Sequence, residues 1–76
     1  MKVVIAKVGE NLYDGEATSV TLPGVNGEMT VLKNHEPLIT TLKAGTIVVR
    51  TEGNEKTFAI ESGVLEIRHE GVTVIL

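Results

Sequence analysis

Residues 22–40 read Leu22-Pro23-Gly24-Val25-Asn26-Gly27-Glu28-Met29-Thr30-Val31-Leu32-Lys33-Asn34-His35-Glu36-Pro37-Leu38-Ile39-Thr40, and the reading of this stretch decides the fold. Pro23, Gly24, Asn26 and Gly27 are expected to break the chain, because proline fixes φ and glycine or asparagine tolerates φ > 0. Glu28 to Leu32 resumes as an extended, apolar-rich run. Lys33, Asn34, His35 and Glu36 follow as a polar cluster, and Pro37 holds the residues before it away from helical geometry. Two turns and a charged corner in so short a span predict a surface made to meet a partner.

Outward from this stretch, almost every segment alternates with period two, the pattern of half-buried strands. Met1 to Val8 is apolar on both parities, as in a strand covered on both faces. Gly9-Glu10-Asn11 turns the chain, and Leu12-Tyr13 precedes Asp14-Gly15, a hairpin-type dipeptide. Glu16 to Leu22 reads as a strand. Pro37 to Leu42 has apolar residues at helical spacing, but Thr40-Thr41 and the short run favour a strand. Ala44-Gly45, Glu52-Gly53-Asn54, Ser62-Gly63 and Glu70-Gly71 then separate four more extended runs. Within these, Ile47 and Val49, Phe58 and Ile60, and Leu65 and Ile67 fall on inward parities. The spacing predicts an all-β domain, a small antiparallel β-sandwich or flattened barrel of about eight to ten short strands.

Composition narrows the function classes. A chain of 76 residues makes a single domain, and it buries only about 60% of its unfolded surface, so its stability margin is small. There is no cysteine, which excludes disulfide staples. Tyr13 and Phe58 are the sole aromatics, so the core must be aliphatic. Net charge is −3 and the seven basic residues are scattered, which argues against nucleic-acid binding. No apolar run reaches the roughly 20 residues that span a bilayer, and the run at Val3–Ala6 is too short for a signal peptide.

Chemistry is thinly represented. His35, His69, Ser19 and Ser62 are present, but neither serine sits in a strained nucleophile turn. His35 with Glu36 and Glu28 does not show three ligands at metal-site spacing. The Gly24-Val25-Asn26-Gly27 loop is followed by a strand rather than the helix and lysine of a phosphate loop. No catalytic, cofactor or metal site is therefore expected. Two other classes are weighed. A biotinyl- or lipoyl-type carrier module is a small acidic all-β domain of this size, but Glu52-Gly53-Asn54-Glu55-Lys56 lacks the Met-Lys-Met or Asp-Lys-Ala context of a modified lysine. A small enzyme using His35 is the weaker alternative.

The organising stretch resembles the N-terminal β-sandwich of the F-type ATP synthase epsilon subunit. That family reads Leu-Pro-Gly, two residues, then Gly-Glu-Leu-Gly-Val-Leu-Pro-Gly-His-Ala-Pro-Leu-Leu-Thr. Here Leu22-Pro23-Gly24, Gly27-Glu28-Met29, Val31-Leu32, His35 and Pro37-Leu38-Ile39-Thr40 stand in the same order. Tyr13-Asp14-Gly15-Glu16, Leu42-Lys43-Ala44-Gly45, Phe58 to Ile67 and Val72 to Leu76 extend the resemblance over essentially the whole chain. The departures are local. Thr30 stands for a glycine, Lys33-Asn34 for Pro-Gly, Glu36 for a small residue and Ser62 for the first glycine of a pair.

The resemblance implies a single epsilon-type β-sandwich domain over residues 1–76. It also implies a non-catalytic rotor subunit that joins the gamma subunit of the central stalk to the c-ring, and so couples ion-driven rotation to ATP synthesis. Asn26, Glu28 and Met29 would face the ring loops, while His35, Leu38 and Thr40 would lie towards gamma. Contact with the membrane would be indirect, at the cytoplasmic face of a bacterial cell membrane or, alternatively, at a thylakoid membrane. Family members continue beyond the position of Leu76 into two helices associated with restraining ATP hydrolysis and, in some members, with binding ATP. Without those helices, neither property is expected here.

Overall fold

A computed structural model describes residues 1–76. The nine strands are β1 (Lys2–Lys7), β2 (Glu10–Glu16), β3 (Ser19–Gly24), β4 (Gly27–Leu32), β5 (Leu38–Leu42), β6 (Gly45–Thr51), β7 (Asn54–Ile60), β8 (Gly63–Arg68) and β9 (Gly71–Ile75). There is no helix, and thus none long and apolar enough to cross a membrane. The strands run β2-β1-β9-β8-β5 and then β3-β6-β7, with β4 on the other flank of β3. Two layers result, and they meet through the single pair Gly24↔Leu42 between β3 and β5. All pairings are antiparallel except β1 with β9, which is parallel.

The corners of the sandwich are visible in its backbone hydrogen bonds. Ala17 N donates to Met1 O at 2.8 Å, continuing the first layer. The next residue, Thr18, donates its N–H to Arg50 O at 2.8 Å and enters the second. At the other end of β3, Lys43 N donates to Pro23 O and Val25 N to Thr41 O, tying β5 to β3. Between the layers lies an aliphatic core that includes Val3, Ile5, Val20, Leu22, Ile47, Val49, Leu65, Ile67, Val72 and Val74. These are the inward parities of their strands, and close packing of branched aliphatics makes such an interior stiff. The outward parity of β1, Val4 and Ala6, is only half-buried, so this strand has one core face rather than two equal ones.

Two expected turns are not turns. Asp14-Gly15 lies inside β2, opposite Val4 and Val3. The chain reverses earlier, at Val8-Gly9, where Gly9 takes φ of 78° without a Cβ penalty. Gly15 instead lies under the Tyr13 ring, which covers it as aromatics cover glycines in sheets. Pro23-Gly24 is likewise strand, paired with Glu28 and Gly27. Pro23 falls where β3 has left β6, whose last pair is Thr21↔Val48, and has not yet met β5 at Gly24. Its missing N–H is asked for by neither neighbour, so the proline is accommodated. The actual turn is Val25-Asn26. By contrast, Pro37 to Leu42 does form a strand, and Asn34 takes φ of 69°, the left-handed turn open to asparagine.

Candidate functional site

The β3–β4 hairpin projects from one edge of the second layer, and β5 forms the facing edge of the first. Because β3 and β5 are joined only around Gly24↔Leu42, the layers part between β4 and β5. This leaves a groove of about 310 Å³ lined by Gly24, Val25, Asn26, Gly27, Glu28, Met29, Leu38 and Thr40. Met29 enters it from β4 on an inward parity and packs against the core. Leu38, inward by parity but beyond the sealed part of the core, is 40% exposed. Glu28 is exposed on the rim and makes no ion pair.

Five of the six residues singled out from sequence therefore share one groove: Asn26, Glu28, Met29, Leu38 and Thr40. The family resemblance assigned them to two different faces. His35 lies elsewhere, in a narrow cleft with Asn34, Leu32, Arg68 and His69. Its Nδ1 donates to the Glu36 carbonyl at 2.9 Å, which orients the ring within its own turn. Val25 also lines the groove, and sequence reading passed over it as a turn residue. Its only prior signal was a large apolar side chain inside a glycine-rich loop.

The opposite mouth of the sandwich, between β2 and β7, is closed by side chains. Tyr13 and Phe58 meet edge to face with centroids 6.2 Å apart, and Lys56 Nζ lies 5.6 Å from the Tyr13 ring centre. Lys56 is thus inside β7 and against an aromatic ring, not at the tip of a hairpin as a carrier lysine would be. Neither serine hydroxyl is hydrogen-bonded to a histidine. No three His, Asp or Glu side chains come together as metal ligands.

One pair on the outer face of the first layer carries perturbed charges. Arg68 donates to Glu66 Oε1 at 3.0 Å, and this hydrogen bond holds the Glu66 carboxyl below the usual glutamate range. The same bond, with the nearby Glu66 charge, raises Arg68. A carboxyl depressed in the folded state adds stability that is present above its unfolded pKa and is lost as pH falls through the folded one. Arg68 is exposed and Glu66 half-exposed, so solvent screens the pair and the contribution is small. Arg68→Gln is expected to return the Glu66 titration midpoint, followed by carboxyl ¹³C NMR, to the ordinary value. An unchanged midpoint would show that Arg68 is not the cause.

With this geometry in place, comparison with known proteins is decisive for the family. Residues 1–76 match the family model of the ATP synthase, delta/epsilon chain, beta-sandwich domain. The chain belongs to this family. It is 38% identical over 76 residues to the ATP synthase epsilon chain of Bordetella petrii, covering 99% of this chain and 54% of that one. It is 43% identical over 72 residues to the ATP synthase epsilon chain of Helicobacter pylori, covering 95% and 58%. The chain thus spans a little over half the length of the curated relatives it matches. Among solved structures, it resembles a chain in the cryo-EM structure of the Euglena gracilis mitochondrial ATP synthase (OSCP/F1/c-ring), with a TM-score of 0.88 at 25% identity, over 96% of this chain and 48% of that one. A chain of the Tetrahymena thermophila mitochondrial ATP synthase central stalk/c-ring shares the fold, with a TM-score of 0.80 at 13% identity, over 99% and 61%. The epsilon-type β-sandwich expected from sequence is the fold observed.

Proposed function

We propose that this domain is a non-catalytic rotor element of an F-type ATP synthase, clamping the gamma subunit of the central stalk to the c-ring. It would work at the cytoplasmic face of a bacterial membrane, held there by the complex. The observation that carries the reading is the whole-chain family match, with close relatives named ATP synthase epsilon chain and a like fold in an assembly that contains a c-ring. The physics of the domain suits the role. A close-packed aliphatic interior deforms little under load, so torque applied at one surface reaches the other. The β4–β5 groove, with Glu28 and Leu38 exposed and Thr40 half-buried, offers the contact.

Charge reversal tests this. Glu28 is exposed and unpaired, so Glu28→Lys is expected to change unfolding free energy by less than about 0.5 kcal/mol. It should weaken assembly with epsilon-depleted synthase by about thirtyfold, as an attraction of roughly 1 kcal/mol becomes a repulsion of similar size. Thermal unfolding of the isolated domain and ATP-driven proton pumping by the reconstituted complex read the two effects separately. Unfolding of the isolated variant, or full assembly with it, removes Glu28 from the interface.

A further inference from the structure

The strand edges of β2, β7 and β4 are not alike. β2 carries Glu10, Asp14 and Glu16, makes ion pairs through Lys2–Asp14 and Lys7–Glu10, and has a register shift opposite Ile5/Ala6. β7 carries Glu55 and Lys56, and its mouth is shut by Tyr13 and Phe58. Charges and bulges of this kind protect strand edges from pairing with other chains. β4 has none of them beyond one carboxylate, Glu28. Its register with β3 runs unbroken from Gly24↔Gly27 to Ser19↔Leu32.

Pro23 fixes which backbone groups this edge presents. It pairs with Glu28 and has no N–H, so that pair is of the non-hydrogen-bonded type. Alternation along the ladder makes Thr21↔Thr30 and Ser19↔Leu32 the same type. The N–H and C=O groups of Glu28 and Thr30, and the N–H of Leu32, therefore point away from β3 to an edge that no strand of this chain occupies, while the Leu32 C=O accepts from His35 N at 3.2 Å. All three residues are exposed.

We infer that the free edge of β4 takes an extended strand from a partner subunit, with apolar residues turned into the Met29/Leu38 groove and a Lys or Arg beside Glu28. Backbone hydrogen bonds would supply affinity, and alternate side chains specificity. The groove lining contains one charge, Glu28, so the complementary group is a cation. A second copy of this chain fits less well. Pairing β4 with itself about Thr30 sets Leu32 opposite Glu28, while Lys33 falls on the other parity, and the carboxylate gains no counter-charge.

The inference rests on the rotor reading for the partner to be tried, the purified gamma-type stalk subunit of the same synthase. Amide hydrogen exchange of the domain, alone and with that subunit at about a hundred times Kd, gives the direct test. Exchange at Glu28, Thr30 and Leu32 should slow by about a hundredfold in the complex. The already bonded amides of Gly27, Met29 and Val31 should change less. A complex that leaves the first three amides fast overturns the edge inference while the rotor reading stands; failure to form any complex overturns both. Protection that grows with the concentration of the domain alone assigns the edge to a second copy and also overturns it. Thr30→Pro deletes an N–H the fold does not use, so the variant should fold and bind at least about tenfold more weakly. Undiminished binding by a folded Thr30→Pro variant contradicts strand addition.

Discussion

Replacing Leu22 with alanine is expected to lower the unfolding free energy by about 3 kcal/mol and the thermal midpoint by roughly 15 °C. Leu22 is fully buried at the centre of β3, the strand through which the two layers are joined. Truncation there loses the transfer energy of the removed carbons and leaves a cavity, because strands held on both sides cannot close over it. A domain of this size has a total stability on the order of 5 kcal/mol, so most of the margin goes. Ile39→Ala is the control. Ile39 is 69% exposed on the outer face of the first layer, and its truncation should stay within about 0.5 kcal/mol. Urea unfolding of both variants checks the contrast. A Leu22→Ala cost below about 1 kcal/mol would mean that the core relaxes far more freely than its packing implies.

Gly71→Ala is expected to cost about 3 kcal/mol, the upper end of overpacking losses, although only one methyl group is added. Gly71 opens β9 and pairs with Lys2 across the only parallel pairing in the molecule. A Cβ at this position would run into the Lys2 carbonyl oxygen and sit 3.1 Å from the Lys2 carbonyl carbon. The backbone here is not left-handed, so the demand is for space rather than for conformational freedom. The Lys2 backbone is the main obstacle, with the Lys2 Cβ also 3.1 Å away, and β1 and β9 would have to separate for the methyl to fit. Because that pairing holds β1 and β2 to the rest of the first layer, the loss should appear as faster amide exchange along both strands. Wild-type exchange and an unchanged urea midpoint in Gly71→Ala would show that the β1–β9 contact is looser than the geometry indicates.

The two misread turns share one cause. Asp-Gly and Pro-Gly are turn-favouring pairs, and local propensity sees nothing beyond the pair. Tyr13 covers Gly15, and Pro23 falls between two strand partners, so tertiary context overrides propensity at both places. The same limit governs the candidate site. The family resemblance could mark Asn26, Glu28, Met29, Leu38 and Thr40 as contact candidates, but the distance between β4 and β5 depends on where β3 changes partners. His35 is near Thr40 in sequence, yet it lies in a different cleft because β5 carries the chain away from the Asn34 turn.

Alternation of apolar and polar residues determined that this is an all-β domain, which side chains form its aliphatic interior, and where most of its strands lie. These follow from a side-chain period of two and from the free energy of burying branched aliphatics, both of which are written residue by residue. Only the tertiary structure decided the parallel pairing of β1 with β9, the union of two layers through Gly24 and Leu42, and the contrast between a guarded edge and an open one. Those features depend on pairing between residues far apart in the chain, and a strand's own sequence does not specify which partner it meets or which edge it leaves free.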